Sequence, residues 1–101
     1  VSGLEPYRRR LDELDSEIAR LLGERFEVCR GVARYKRQNG IAMMQPDRVE
    51  QVRAHYLARG EQADIPADFT ADFFELVLAA TCKMEDELIG DRSSVGERQE
   101  R

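Results

Sequence analysis

The stretch LLGERFEVCRGVARYK, Leu21–Lys36, decides how this chain is read. It lies within a regular apolar seam of Leu4, Tyr7, Leu11, Leu14, Ile18, Leu21, Val28, Val32 and Tyr35. Steps of three and four residues alternate, the a/d pattern of a helix that buries one stripe against other helices. The seam position between Leu21 and Val28 is Arg25, whose guanidinium does not lose its proton in a protein. A permanent charge in an apolar stripe calls for a counter-charge. It can come from an internal carboxylate, with Arg25 fixing helix register, or from an anionic ligand.

Working outward, helix 1 is expected from about Leu4 to Gln38, stopped by Asn39 and Gly40. Such a helix is about 50 Å long. The loop NGIAMMQP leads to Pro46, suited to a first helical turn, and helix 2 should reach about Arg59 with Val49, Val52 and Tyr56 inward. After the loop GEQADIP, helix 3 begins near Pro66 and carries Phe69, Phe73, Leu76, Val77, Ala80, Met84 and Leu88 at helical spacing. Residues 1–89 form one helical domain, and the aperiodic polar tail 90–101 reads as disordered. Two short helices cannot cover helix 1 along its whole length. The exposed remainder of the seam predicts an intertwined all-α homodimer with antiparallel long helices.

The 101 residues, 42% hydrophobic and 36% charged, allow a single domain. A net charge of −4 argues against nucleic acid as a partner, and Arg8-Arg9-Arg10 reads as a solvated helix face. There is no apolar run of about 20 residues, so no membrane span is expected, and the chain reads as cytoplasmic. Cys29 and Cys82 fit neither a disulfide framework nor a metal site, and read as small buried hydrophobes. His55, the single histidine, reads as a surface residue. No metal cluster, nucleophile–base pair or phosphate-binding loop is evident, so no cofactor is expected.

What remains is a set of cations. Arg25 and Lys36 are eleven residues apart, on nearly one side of helix 1 and about 16 Å apart along its axis. Their long side chains can converge on a small dianion. Arg48 opens helix 2 and can close such a site. Arg8 lies about 25 Å from Arg25 along the helix, out of reach within one chain but in range from an antiparallel partner. Thr81 and Glu85 are an i,i+4 pair on one face of helix 3.

These residues carry a resemblance. RRRLDELDSEIARLLGERFEVCRGVARYK, then MMQPDRV, then LAATCKMEDEL resembles the all-α, AroQ-type chorismate mutase family over residues 4 to 89. The resemblance implies a dimer of three-helix chains whose active sites each take an arginine from the partner, here Arg8. It implies Arg25 and Arg48 as ligands of the substrate carboxylates, and Lys36 as a donor to the ether oxygen. Thr81 stands where the family commonly has Ser near a carboxylate, and Glu85 where it commonly has Gln facing the ether. The implied reaction is a [3,3] Claisen rearrangement of a dicarboxylate, driven by orientation and electrostatics without obligatory proton transfer. On this reading Arg25 occupies the seam because the seam opens there into a binding pocket.

Two positions depart from the family pattern. The residue after Arg48, commonly Glu and a ligand of the 4-hydroxyl, is Val49, and Gln45 replaces a frequent Asp. ARYKRQNGIAMMQPDRV and CKMEDEL resemble the 4-amino-4-deoxychorismate mutases of antibiotic pathways, which implies that amino substrate. Chorismate, an isochorismate-pyruvate lyase reaction and a non-catalytic helical dimerisation module are the other readings.

Overall fold

A computed structural model describes residues 3–100, with side chains described for residues 3–88. It contains three helices in chain order: α1 (Glu5–Asn39), α2 (Pro46–Gln62) and α3 (Ala67–Glu100). No helix among the described residues is long and apolar enough to cross a membrane.

Pro6 sits in the first turn of α1, where its missing N–H is not needed. The helix ends as expected at Gly40, whose left-handed φ of 66° lets its N–H and that of Ile41 bond back to the Lys36 carbonyl. Surface pairs such as Arg20 with Glu17 and Glu24 decorate the outer face. Such exposed pairs contribute little to stability.

α2 runs to Gln62, three residues past the expected end at Arg59. Gly60 is not a breaker here. It is buried where α2 meets α3, and a Cβ on it would lie 2.4 Å from Thr70 Oγ1. The chain turns only at Asp64, at φ 64°.

α3 packs on both other helices, while the backbones of α1 and α2 stay apart. The buried core is correspondingly small: Ala33 of α1 with Thr70, Phe74 and Val77 of α3. Of the apolar residues read at helical spacing on helix 3, Val77 is buried and Phe73, Met84 and Leu88 are half-buried. Phe69 and Leu76 face outward, 60% and 71% exposed. The apolar surface of α3 is wider than one stripe, and α2 grips the Thr70–Phe74–Val77 side of it. The backbone of α3 also continues as helix to Glu100, beyond Leu88; no proline interrupts it. The side chains from 89 onward lie outside the described residues.

The chain measures 67 × 30 × 18 Å, with a radius of gyration of 18.5 Å. A compact chain of this length would have about 13 Å. The chain is elongated, and every residue of the apolar seam is between 40% and 69% exposed.

Candidate active site

The gap between α1 and α2, floored by α3, is a cavity of about 310 Å³. Its wall carries every residue expected at the site except Arg8: Arg25, Lys36, Gln45, Arg48, Val49, Thr81 and Glu85. Arg8 is remote on the N-terminal half of α1, exposed and 3.6 Å from Glu5.

Arg25 is half-buried and pairs with no carboxylate among the described residues. That removes the internal ion pair as the reason for its seam position. Its Nη1 donates to Cys29 Sγ at 3.7 Å, one turn on, and its guanidinium lies 5.9 Å from the centre of the Tyr56 ring on α2. Sulfur is a weak acceptor, so most of the donor capacity of Arg25 is unspent.

Lys36 is held by the loop that follows its own helix: Nζ donates to the Met43 carbonyl at 2.8 Å. The same nitrogen stands 3.9 Å from Glu85 Oε2, across the cavity on α3. That is ion-pair range but too long for a hydrogen bond. Glu85 Oε2 is buried and has no hydrogen-bond partner. Burial pushes the Glu85 carboxyl above the usual carboxylate range; Lys36 opposes the rise and Asp86 adds to it. Desolvation favours the protonated form of Glu85, which can donate a hydrogen bond, and the neighbouring Lys36 favours the ionised form.

Thr81 Oγ1 donates to the Val77 carbonyl at 2.9 Å. Toward the cavity it offers lone pairs, and a carboxylate there would have to draw the hydroxyl proton away from Val77. Gln45 Nε2 donates to the Ala42 carbonyl at 3.2 Å, which leaves its side-chain oxygen as an acceptor. Arg48, exposed at the first turn of α2, touches Gln51 Oε1 at 3.4 Å, and half-buried Val49 adds an apolar wall.

The cysteines are not fully buried hydrophobes. Cys29 and Cys82 are half-buried and line the cavity, as do Met43 and Met44 of the loop. The spacing of Cys29, four after Arg25 and seven before Lys36, already places it on their face. Burial foremost, then Glu85 and Asp86, pushes the Cys82 thiol upward. No group of acidic, histidine and cysteine side chains suited to a metal occurs among the described residues. His55 is exposed, as expected.

A cavity lined by half-buried Arg25 and Lys36, exposed Arg48 and half-buried Glu85 can hold a small dicarboxylate and place donors on a third oxygen. The family of chorismate mutase type II matches residues 7–86. A 4-amino-4-deoxychorismate mutase from Streptomyces pristinaespiralis is 31% identical over 86 residues, 85% of this chain and 67% of the relative. One from Streptomyces venezuelae is 28% identical over 92 residues, 91% of this chain and 88% of the relative. A chorismate mutase from Methanocaldococcus jannaschii is 33% identical over 52 residues, 52% of each chain. The chain thus belongs to the type II chorismate mutases, isomerases that rearrange their substrate without changing its atoms.

Proposed function

We propose that the enzyme rearranges 4-amino-4-deoxychorismate to 4-amino-4-deoxyprephenate, with Arg25, Lys36 and Glu85 as its catalytic groups. The observation that carries the site assignment is Arg25, a half-buried cation with no carboxylate partner among the described residues, facing a cavity it shares with Lys36 and Arg48. A substrate with two carboxylates supplies the missing charge. Arg supplies paired N–H donors in the plane a carboxylate needs.

In the reaction the ether C–O bond breaks as the new C–C bond forms, and electrons shift around a six-membered array with no proton leaving. Arg25 and Arg48 hold the two carboxylates, which folds the enolpyruvyl arm over the ring. Negative charge grows on the ether oxygen in the transition state. Lys36, pre-set by Met43, and protonated Glu85 donate to it. Thr81 supports a carboxylate.

For the C4 substituent, support comes from Val49 and Gln45. Val49 cannot bind a hydroxyl, and the amide of Gln45, anchored through its NH₂ on Ala42, presents an acceptor suited to an amine N–H. Two relatives that match most of this chain bear the name of the amino-substrate enzyme. Chorismate is the second reading: Glu85 is the one carboxylate among the described lining residues and already stands beside Lys36, and one relative is named a chorismate mutase.

The site is completed in a homodimer. The exposed seam of α1 packs on a second copy, whose Arg8 enters the cavity beside Arg25. Incubation with 4-amino-4-deoxychorismate, chorismate and isochorismate in parallel tests the assignment by product identity. The amino prephenate should form with the highest kcat/KM. Faster conversion of chorismate, or release of pyruvate from isochorismate, would overturn it.

A further inference from the structure

The cavity wall contains one contact that the carboxylate-binding scheme does not use. Arg25 reaches across the gap between α1 and α2, whose backbones stay apart, and lays its guanidinium 5.9 Å from the centre of the Tyr56 ring. Cation–ring attraction acts at this range, near its outer limit. The ring itself is fixed. Phe74 meets it edge-on at 5.2 Å and 69°, and Phe73 lies tilted at 6.1 Å. Phe74 is 2% exposed, and its own face is covered by Arg53 at 4.9 Å. Arg53 in turn is tied to Glu75 of α3 and to Glu50. A stack therefore runs from the Arg53–Glu75 pair on the surface, through Phe74 and Tyr56, to the guanidinium in the cavity.

We infer that Tyr56 is a positioning residue: its ring, within cation–ring range of the Arg25 guanidinium, restricts where that guanidinium sits before a substrate carboxylate binds. A long arginine loses rotamer freedom on binding a ligand, and a guanidinium already held by a ring loses less. The ring attracts the charge without using an N–H donor, so the two contacts do not compete. The work is done by the ring and not the hydroxyl, because the Arg25 contact is to the ring. The inference rests on the assignment of Arg25 to a substrate carboxylate.

The test is a double-mutant cycle on the dimeric full chain. Arg25→Ala, measured alone, checks the underlying assignment and should lose at least about a hundredfold in kcat/KM, on the scale of a lost preorganised donor. For Tyr56, the variants Phe, Leu and Met are made in the wild-type and Arg25→Lys backgrounds. Each is read by kcat/KM, by calorimetric Kd for the product-like dicarboxylate prephenate, and by thermal midpoint. Tyr56→Phe should match wild type within a factor of about two, and Tyr56→Leu should weaken binding and kcat/KM about two- to fivefold, mainly through KM. In the Arg25→Lys background that loss should shrink below twofold, because the guanidinium that meets the ring is already gone. Tyr56→Met repeats the comparison should the Leu variant fold poorly. Equal losses in both backgrounds, or a loss in Tyr56→Phe as large as in Tyr56→Leu, would overturn the inference while leaving the Arg25 assignment intact. An active Arg25→Ala would overturn the assignment itself.

Discussion

Glu85→Gln separates the two states of the buried acid. The substitution keeps the shape of the side chain and exchanges a group that donates only when protonated for an amide that donates at any pH. Glu85 Oε2 has no hydrogen-bond partner, and Lys36 Nζ at 3.9 Å is too far to supply one. Its titration is raised, by burial first, with Asp86 adding and Lys36 opposing. Once the proton leaves, the wild-type enzyme loses a donor and sets a negative charge beside an oxygen that is gaining one. Loss of one such donor costs about 10²–10³ in rate, so wild-type kcat should fall by roughly that factor on the alkaline side of the raised value. Glu85→Gln should be flat across the same range. Stability moves in parallel. Between the ordinary and the raised titration points the folded chain keeps a proton that the unfolded chain has lost, so wild-type stability declines as pH rises through that window and stays lower above it. An unsatisfied buried polar atom costs about 1–3 kcal/mol, and Gln should recover up to that amount above the window and little below it. The assay is kcat against pH for both proteins, with denaturant unfolding at the same pH values. An alkaline limb that persists unchanged in Glu85→Gln, with parallel stability curves, would refute the protonated donor.

Lys36→Met should lower kcat by about a hundredfold or more with a smaller change in KM, since its charge acts on the developing oxyanion; steady-state kinetics on the variant decide. Arg8→Ala and Arg25→Ala should each be nearly inactive, and re-formed mixed dimers should regain up to about one quarter of wild-type activity, because each mixed dimer has one intact site; no recovery in the mixing assay removes Arg8 from its trans role. Val49→Glu should shift the ratio of kcat/KM toward chorismate over the amino substrate, as measured by competition between the two. Gly60→Ala should destabilise by about 1–3 kcal/mol in urea unfolding, because its Cβ would lie 2.4 Å from Thr70 Oγ1 in a packed contact.

The helical plan was legible because its signals are local. A period of three and four residues marks α1, and Gly40 marks its end with a backbone angle that glycine adopts easily. Signals that depend on another helix were not. Gly60 looks like a stop in sequence, yet it is required where α2 touches Thr70. On α3 the buried Val77 was legible from spacing, but burial of Thr70 and Phe74 with exposure of Phe69 and Leu76 was not, because the apolar surface is wider than one stripe and only the position of α2 selects within it. The cations of the site could be found from spacing along one helix and from Pro46 setting the start of the next. Tyr56 under Arg25 could not, since a ring on α2 meeting a guanidinium on α1 leaves no period in either segment.

Arg25 shows why a break in a pattern can be more informative than the pattern. In a structural seam an unpaired half-buried cation is a cost with no return, and a sequence under no other demand would place Leu or Ile there. The same helix keeps nine apolar seam residues between 40% and 69% exposed, so the seam too is incomplete in one chain. The two deficits lie on one helix, and a single arrangement relieves both. In the proposed homodimer, a second chain laid antiparallel on α1 would cover the apolar residues and bring Arg8 from the far end of its own helix toward the cavity. On the proposed function, the dianionic substrate then compensates the Arg25 charge, which no carboxylate among the described residues neutralises.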